Sequence, residues 1–128
     1  MQVTVFGLDD DAKKCGIDAD SLKNTAMLPI RAYTKLQDGF VIGASGWLTI
    51  ILGVLKAPTF CAVTVTVEAS EFVTLKLPHA EVQDSQKIIL WTNTHVLTGG
   101  PASVGTRTNA AVEQMAKELA SHWQKANQ

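Results

Sequence analysis

The stretch Cys61-Ala-Val-Thr-Val-Thr-Val-Glu68 decides the fold, because its apolar and polar residues alternate without a break. One set of alternate positions holds Cys61 and three valines, and the other holds Ala62, Glu68 and two threonines. When polar and apolar residues alternate one by one, only a β-strand places all residues of each set on one side of the chain. The sequence therefore predicts a strand whose valine face packs against a covering layer.

Other parts of the chain also have the composition of strands. Residues 47–55 are apolar at both sets of alternate positions, which is typical of a strand covered on both faces or meeting a partner on one. Residues 72–77 and 87–97 flank a polar loop, and adjacent strands joined in this way favour an antiparallel hairpin. Ala69-Ser70-Glu71, which lie between residues 61–68 and residues 72–77, predict a bulge or bend. Residues 40–44 are a candidate for one more short strand.

Two helices are predicted, one on each side of the strands in the sequence. The first spans residues 18–33, with Asp18 as its N-cap. Pro29 should kink this helix or end it at Leu28. The second helix spans about residues 106–126. The apolar stripes of the two helices consist of Leu22, Ala26, Ile30 and Tyr33, and of Val112, Met115, Leu119 and Trp123.

Length and composition favour one folded domain. The chain has 128 residues, of which 46% are apolar and 18% charged, and two domains of half this size would each lack a sufficient core. No repeat or low-complexity segment divides residues 1–128. The order of elements predicts an α+β fold: a two-layer sandwich in which an antiparallel sheet of three to four strands packs against an N-terminal and a C-terminal helix.

The two cysteines, Cys15 and Cys61, are 46 residues apart and do not form a CxxC motif. Cys61 shares the inward face of the valine strand, and Cys15 directly precedes the first helix, so the two sulfurs can meet between the layers. A disulfide is the favoured interpretation. Two reduced, buried thiols are the alternative, because cysteine is among the most frequently buried residue types.

Several functional classes are not supported. The net charge is −1 and the basic residues are scattered, which argues against nucleic acid as a partner. The longest apolar run, residues 41–55, contains three glycines and falls short of the roughly 20 residues that cross a membrane. His79, His95 and His122 have no spacing suited to a shared metal. No nucleophile motif, phosphate loop or close carboxylate pair is present, so we expect neither an enzyme nor a bound cofactor.

Two regions are candidate binding sites. Trp47 and Ile51 are alternate residues of a strand that is apolar on both faces, and Thr64 and Thr66 belong to the outward set of the valine strand. We expect these four side chains to form an interaction surface. The second region is the loop at residues 98–105, whose glycines precede a helix and suit an anion or a small ligand: Gly99, Gly100 and Gly105.

The chain resembles small exported proteins of Gram-negative bacteria that carry a cleaved leader and have no established activity. The resemblance covers most of the chain and rests on hydrophobic patterns: Cys15-Gly16-Ile17, Leu28-Pro29-Ile30-Arg31, residues 47–54, residues 61–67, Trp91, and Trp123-Gln-Lys-Ala-Asn127. It implies a periplasmic or secreted protein, which is consistent with a Cys15–Cys61 bridge. The chain itself shows no leader after Met1, so a cytoplasmic protein is the alternative to a mature exported one.

The sequence thus predicts a non-enzymatic exported domain that binds a protein or envelope component, with homodimer formation left open. A periplasmic enzyme inhibitor is a variant of this interpretation. A small-molecule or anion-binding protein that uses the loop at residues 98–105 is the alternative.

Overall fold

A computed structural model describes residues 2–36, 46–76 and 83–126 of the chain. The elements occur in the order β1 (Gln2–Phe6), α1 (Asp10–Lys14), α2 (Ala19–Leu36), β2 (Gly46–Lys56), β3 (Cys61–Lys76), β4 (Gln83–Gly99) and α3 (Val104–Ala126). The strands form one sheet in the order β1-β2-β3-β4. The candidate strand at residues 40–44 lies outside the described residues.

The predicted α+β sandwich is confirmed with four strands, although β1 was not among the segments predicted to be strands. Strands β2, β3 and β4 pair antiparallel, whereas β1 pairs with β2 in the parallel direction, so the sheet is mixed. The chain passes from β1 through α1 and α2 before it returns as β2, and a helical crossover of this kind is what parallel neighbours require. In β1, Val3 and Val5 are packed against the core.

The valine face of β3 lies at the centre of the core, as predicted. Val63, Val65 and Val67 are buried and are paired with inward residues of β2 and β4. The core cluster joins this face to both long helices; its larger members there are Leu22, Ile30, Leu48, Ile50, Leu52, Val104, Val112, Met115 and Leu119. The helices therefore cover one side of the sheet, which we call the inner face. The opposite side is called the outer face.

The anticipated irregularity at Ala69-Ser70 is a β-bulge. Ala69 pairs with Trp91 and Ser70 pairs with Ile89, so Leu90 of β4 is the extra residue. A bulge shifts the alternation of its strand by one position. As a result, Trp91 packs against the core on the inner face, whereas Ile89 belongs to the outer face.

Helix α2 begins as predicted but does not end at Pro29. The Asp18 carboxylate accepts a hydrogen bond of 2.9 Å from the backbone N–H of Ser21, which is the geometry of an N-cap. The helix continues past Pro29 to Leu36. Proline has no N–H to donate to the preceding turn, so the packing of the helix on the core has to offset this loss.

The acidic run Asp9-Asp10-Asp11 before α2 includes the start of the short helix α1. Asp9 caps α1 by accepting a hydrogen bond of 2.9 Å from the N–H of Ala12. At the other end, Gly16 has φ +76° and donates to Lys13, while Ile17 donates to the carbonyl of Ala12. This is a Schellman motif, which ends the helix at a glycine.

The predicted disulfide between Cys15 and Cys61 is present, with the two Cα atoms 6.3 Å apart. Cys15 lies in the turn after α1, and Cys61 is the first residue of β3. Both residues are fully buried. The bridge therefore ties the start of the helical layer to the sheet.

Candidate functional site

The outer face is arranged in rows that cross the strands. One row runs across all four strands as Phe6, Ile51, Thr66 and Thr94. The next row along the strands is Gly53, Thr64 and Val96, and the one after it is Leu55, Ala62 and Thr98. Small residues thus form the middle of this region, and larger apolar residues stand on either side of it.

The outer face exposes large apolar side chains. The exposed fractions are 57% for Phe6, 39% for Ile51, 63% for Leu55 and 72% for Val96. Isolated exposed apolar residues are common on proteins, but these four lie on one face of one sheet. No described helix covers this region, because the core joins all of the helices to the opposite face.

The outer face carries almost no charge. Among its described residues, Glu68 and Lys87 form an ion pair of 3.6 Å between their side chains, and Lys76 is a further charged residue at the end of β3. By contrast, the acidic and basic residues near the first two helix starts and along α3 lie on the helical side. The outer face is therefore close to neutral and mostly apolar or threonine-rich.

All four residues predicted to form the interaction surface lie on the outer face. Ile51 and Thr66 are register partners in the row that crosses all four strands, and the hydroxyl oxygens of Thr66 and Thr94 in the same row are 2.8 Å apart. Thr64 is exposed in the neighbouring row. Trp47 is half-buried at the far end of the face, beside a pocket of about 160 Å³ that is also lined by Thr4, Phe6, Thr49, Ser70 and Lys87.

Ser70 contributes a buried polar atom beside this pocket. It is the register partner of Trp47, and its Oγ has no hydrogen-bond partner among the described residues. Because this oxygen is buried, it does not offer an exposed polar group to a ligand in the pocket. The pocket is therefore a feature of the outer face and not a separate polar site.

The loop at residues 98–105 is partly packed by its own hydrogen bonds and by its contact with Gly16. The carbonyl of Gly100 accepts hydrogen bonds from the N–H groups of Ser103 and Val104, at 3.1 and 3.0 Å. A Cβ on Gly99 would lie 2.9 Å from the Arg107 guanidinium, and Gly105 is in contact with the backbone of Gly16. The N–H groups of Ser103 and Val104 are thus used within the loop.

A groove between β4 and α3 begins just beyond this loop. It has a volume of about 220 Å³ and is lined by His95, Leu97, Arg107, Ala110, Ala111 and Gln114. No sequence pattern indicates this groove, because it depends on β4 being the last strand of the sheet. Its residues become neighbours only through that topology.

Two negative findings apply to the described ranges. Residues 2–36, 46–76 and 83–126 contain no cluster of three or more His, Cys, Asp or Glu side chains that could hold a metal ion. Within the same ranges, no helix is both long enough and apolar enough to cross a membrane.

Comparisons with models of protein families, with curated proteins and with solved structures found no match.

Proposed function

We propose that this chain is a non-enzymatic, exported binding domain that holds a partner protein on its outer face. The observation that carries the proposal is the exposure of Phe6, Ile51, Leu55 and Val96 on one side of the sheet. Contiguous exposed apolar surface on a folded domain marks interaction sites. Each such side chain gains about 1.5–3 kcal/mol when it is removed from water, which rewards its burial against a partner.

The charge and shape of the outer face favour a flat, uncharged partner surface. The charged pair Glu68–Lys87 is already internally matched, so a partner does not need to supply a counter-charge. Gly53, Ala62 and Thr64 leave a level middle between the larger side chains. Such a face suits the exposed side of another sheet, since two sheets pack face to face at about 10 Å.

The Cys15–Cys61 disulfide supports the exported part of the proposal. Disulfides persist in oxidising compartments such as the periplasm and are rare in the cytosol. We therefore propose that the chain binds its partner in the periplasm or at the envelope.

Site-specific photocrosslinking in cells that naturally make the protein is the first test. A benzophenone amino acid at Thr64, in the middle of the outer face, should crosslink to one discrete protein. The same amino acid at Lys117, exposed on α3, is the control and should not. Crosslinking from Lys117 alone, or from neither position, contradicts the proposal. A dimer of the chain crosslinked from Thr64 would identify a second copy as the occupant.

The captured partner is then purified and its affinity measured. Ile51→Lys should weaken binding about tenfold to a hundredfold, because it puts a charge where an apolar side chain is buried. Leu28→Lys is the matched control, since Leu28 is 66% exposed on α2, far from the outer face. Equal affinities of the two variants would refute the assignment of the surface. If the partner is an enzyme, its activity with and without the bound domain tests the inhibitor variant.

A further inference from the structure

The side of β4 that faces away from β3 pairs with no described strand, and we call it the open edge. Three observations show which backbone groups lie there. The N–H of Thr94 donates to the Asn93 side chain at 2.8 Å, and the carbonyl of Thr98 accepts from Arg107 of α3. The Thr66 and Thr94 hydroxyls are 2.8 Å apart, as expected where paired residues do not exchange backbone hydrogen bonds. Since this orientation alternates along an antiparallel strand, Val96 also presents its N–H and C=O on the open edge.

The groove between β4 and α3 runs directly beside the open edge. Its apolar lining comes from Leu97 of the strand and from Ala110 and Ala111 of the helix. The two alanines leave room between the elements, and about 150 Å³ is enough for a ring the size of benzene. The groove, at about 220 Å³, can therefore accept one apolar side chain of an added strand.

Arg107 provides a cation at one end of the groove. One of its N–H groups donates to the carbonyl of Thr98, which holds the guanidinium beside the last residues of β4. A guanidinium has five N–H donors in one plane and binds carboxylates through two of them at once. Its other N–H groups can donate to a carboxylate that arrives along the open edge.

Asn93 limits the length of edge that an added strand can use. Its Oδ1 accepts the N–H of Thr94, and its Nδ2 donates to the Glu118 carboxylate of α3 at 2.9 Å. These two hydrogen bonds therefore fix the Asn93 side chain at the open edge. A strand added next to Val96 would have to stop at this point, which leaves a site about three residues long.

We infer that the groove between β4 and α3 binds an extended peptide by strand addition. The backbone of the peptide pairs with Val96, an apolar side chain enters the groove over Leu97, and a carboxylate binds Arg107. The carboxylate can be the C-terminus of the peptide or an acidic side chain. Strand addition at an exposed edge obtains its affinity from backbone hydrogen bonds and its specificity from pockets for alternate side chains. The site uses the backbone of Val96 and the inner side of β4, whereas the outer face uses the Val96 side chain, so the inference does not depend on the proposed function.

The test uses the oxidised full-length protein and a library of fluorescein-labelled hexapeptides that varies the last two residues. Each peptide is made as a free acid, as a C-terminal amide, and as an amide with an internal Asp. Fluorescence anisotropy should detect saturable binding for peptides with an apolar residue near a carboxylate. Binding of free acids alone assigns the C-terminus, and binding of the Asp peptides assigns a side chain. The absence of binding below about 1 mM throughout the library overturns the inference.

Variants then locate the site. Arg107→Gln should weaken binding about tenfold or more, because the charge-assisted hydrogen bonds are lost. Ala110→Phe, at an exposed position on α3, should block the groove without entering the core. Lys117→Gln removes an exposed cation of the same helix, three residues beyond Gln114 and outside the lining of the groove, and should bind like the wild type. Unchanged affinity in both Arg107→Gln and Ala110→Phe would also overturn the inference, and the outer-face proposal would be unaffected.

Discussion

Gly105, in the first turn of α3, lies directly against the backbone of Gly16. A Cβ built at position 105 would be 2.9 Å from the carbonyl carbon of Gly16 and 3.4 Å from the carbonyl oxygen of Cys15. The C-terminal helix thus starts on the same turn that carries the disulfide. Backbone packs on backbone here, and neither side can yield by rotating a side chain.

We therefore expect Gly105→Ala to lower the free energy of unfolding by about 1–3 kcal/mol, because α3 and the turn after α1 must move apart. Gly100→Ala is the matched control, since a Cβ there would meet nothing within 4 Å. Urea denaturation of the two variants measures the difference. A Gly105→Ala protein as stable as Gly100→Ala would show that the close contact is absent in solution.

Removal of the disulfide should destabilise the fold by about 4 kcal/mol in the chain-entropy model, given the 46-residue separation of its cysteines. The double variant Cys15→Ala/Cys61→Ala removes the bridge without leaving a reactive thiol. Urea denaturation of this variant and of the oxidised wild type gives the difference. Intact mass before and after reduction reports the bridge itself, which should add two hydrogens on opening. An unchanged mass after reduction under denaturing conditions would contradict the structure.

Pro29→Ala should stabilise the protein by about 1–3 kcal/mol, because proline inside a helix costs up to roughly 3 kcal/mol relative to alanine. The change restores an N–H where α2 already continues from Ala19 to Leu36. Asn24→Ala, at an exposed position of the same helix, is the control and should gain no more than about 0.7 kcal/mol. Thermal unfolding followed by circular dichroism compares the two. If Pro29→Ala melts no higher than Asn24→Ala, the helix is interrupted at that point in solution.

Asp18→Ala should cost about 1 kcal/mol, since it removes the side-chain acceptor for the Ser21 N–H. Asp20→Ala alters a carboxylate in the first turn of the same helix, with no cap hydrogen bond to lose, and should cost about 0.3–1 kcal/mol at low salt. Raising the salt concentration should reduce the effect of Asp20→Ala more than that of Asp18→Ala. Equal losses for both variants at high salt would argue against the N-cap.

Patterns within single segments predicted the core of this fold. The valine alternation of β3 identified its buried face, and the spacing of Val112, Met115 and Leu119 identified the buried side of α3. The position of Cys61 on that valine face was enough to favour the disulfide. These features depend on local periodicity, which a sequence displays directly.

Features that depend on contacts between distant parts of the chain could not be predicted from local periodicity. Strand β1 has only five residues, and it is a strand because β2 returns beside it after two helices. The run Ile88-Ile89-Leu90-Trp91 is apolar throughout, so its pattern could not show that Leu90 is the extra residue of the bulge. Trp47, Ile51, Thr64 and Thr66 were placed together correctly by alternation. The groove beside β4 was missed because strand order is not encoded in periodicity.

The bridge between Cys15 and Cys61 also fixes how the molecule behaves under mechanical load. When the two termini are pulled apart, tension passes through the sulfur atoms and bypasses the 46-residue segment they enclose. About 150–165 Å of contour length is thereby withheld from extension. In single-molecule stretching, α2 and β2, which both lie within this segment, would unfold without adding to the end-to-end extension, and reductant would release the hidden length in one step.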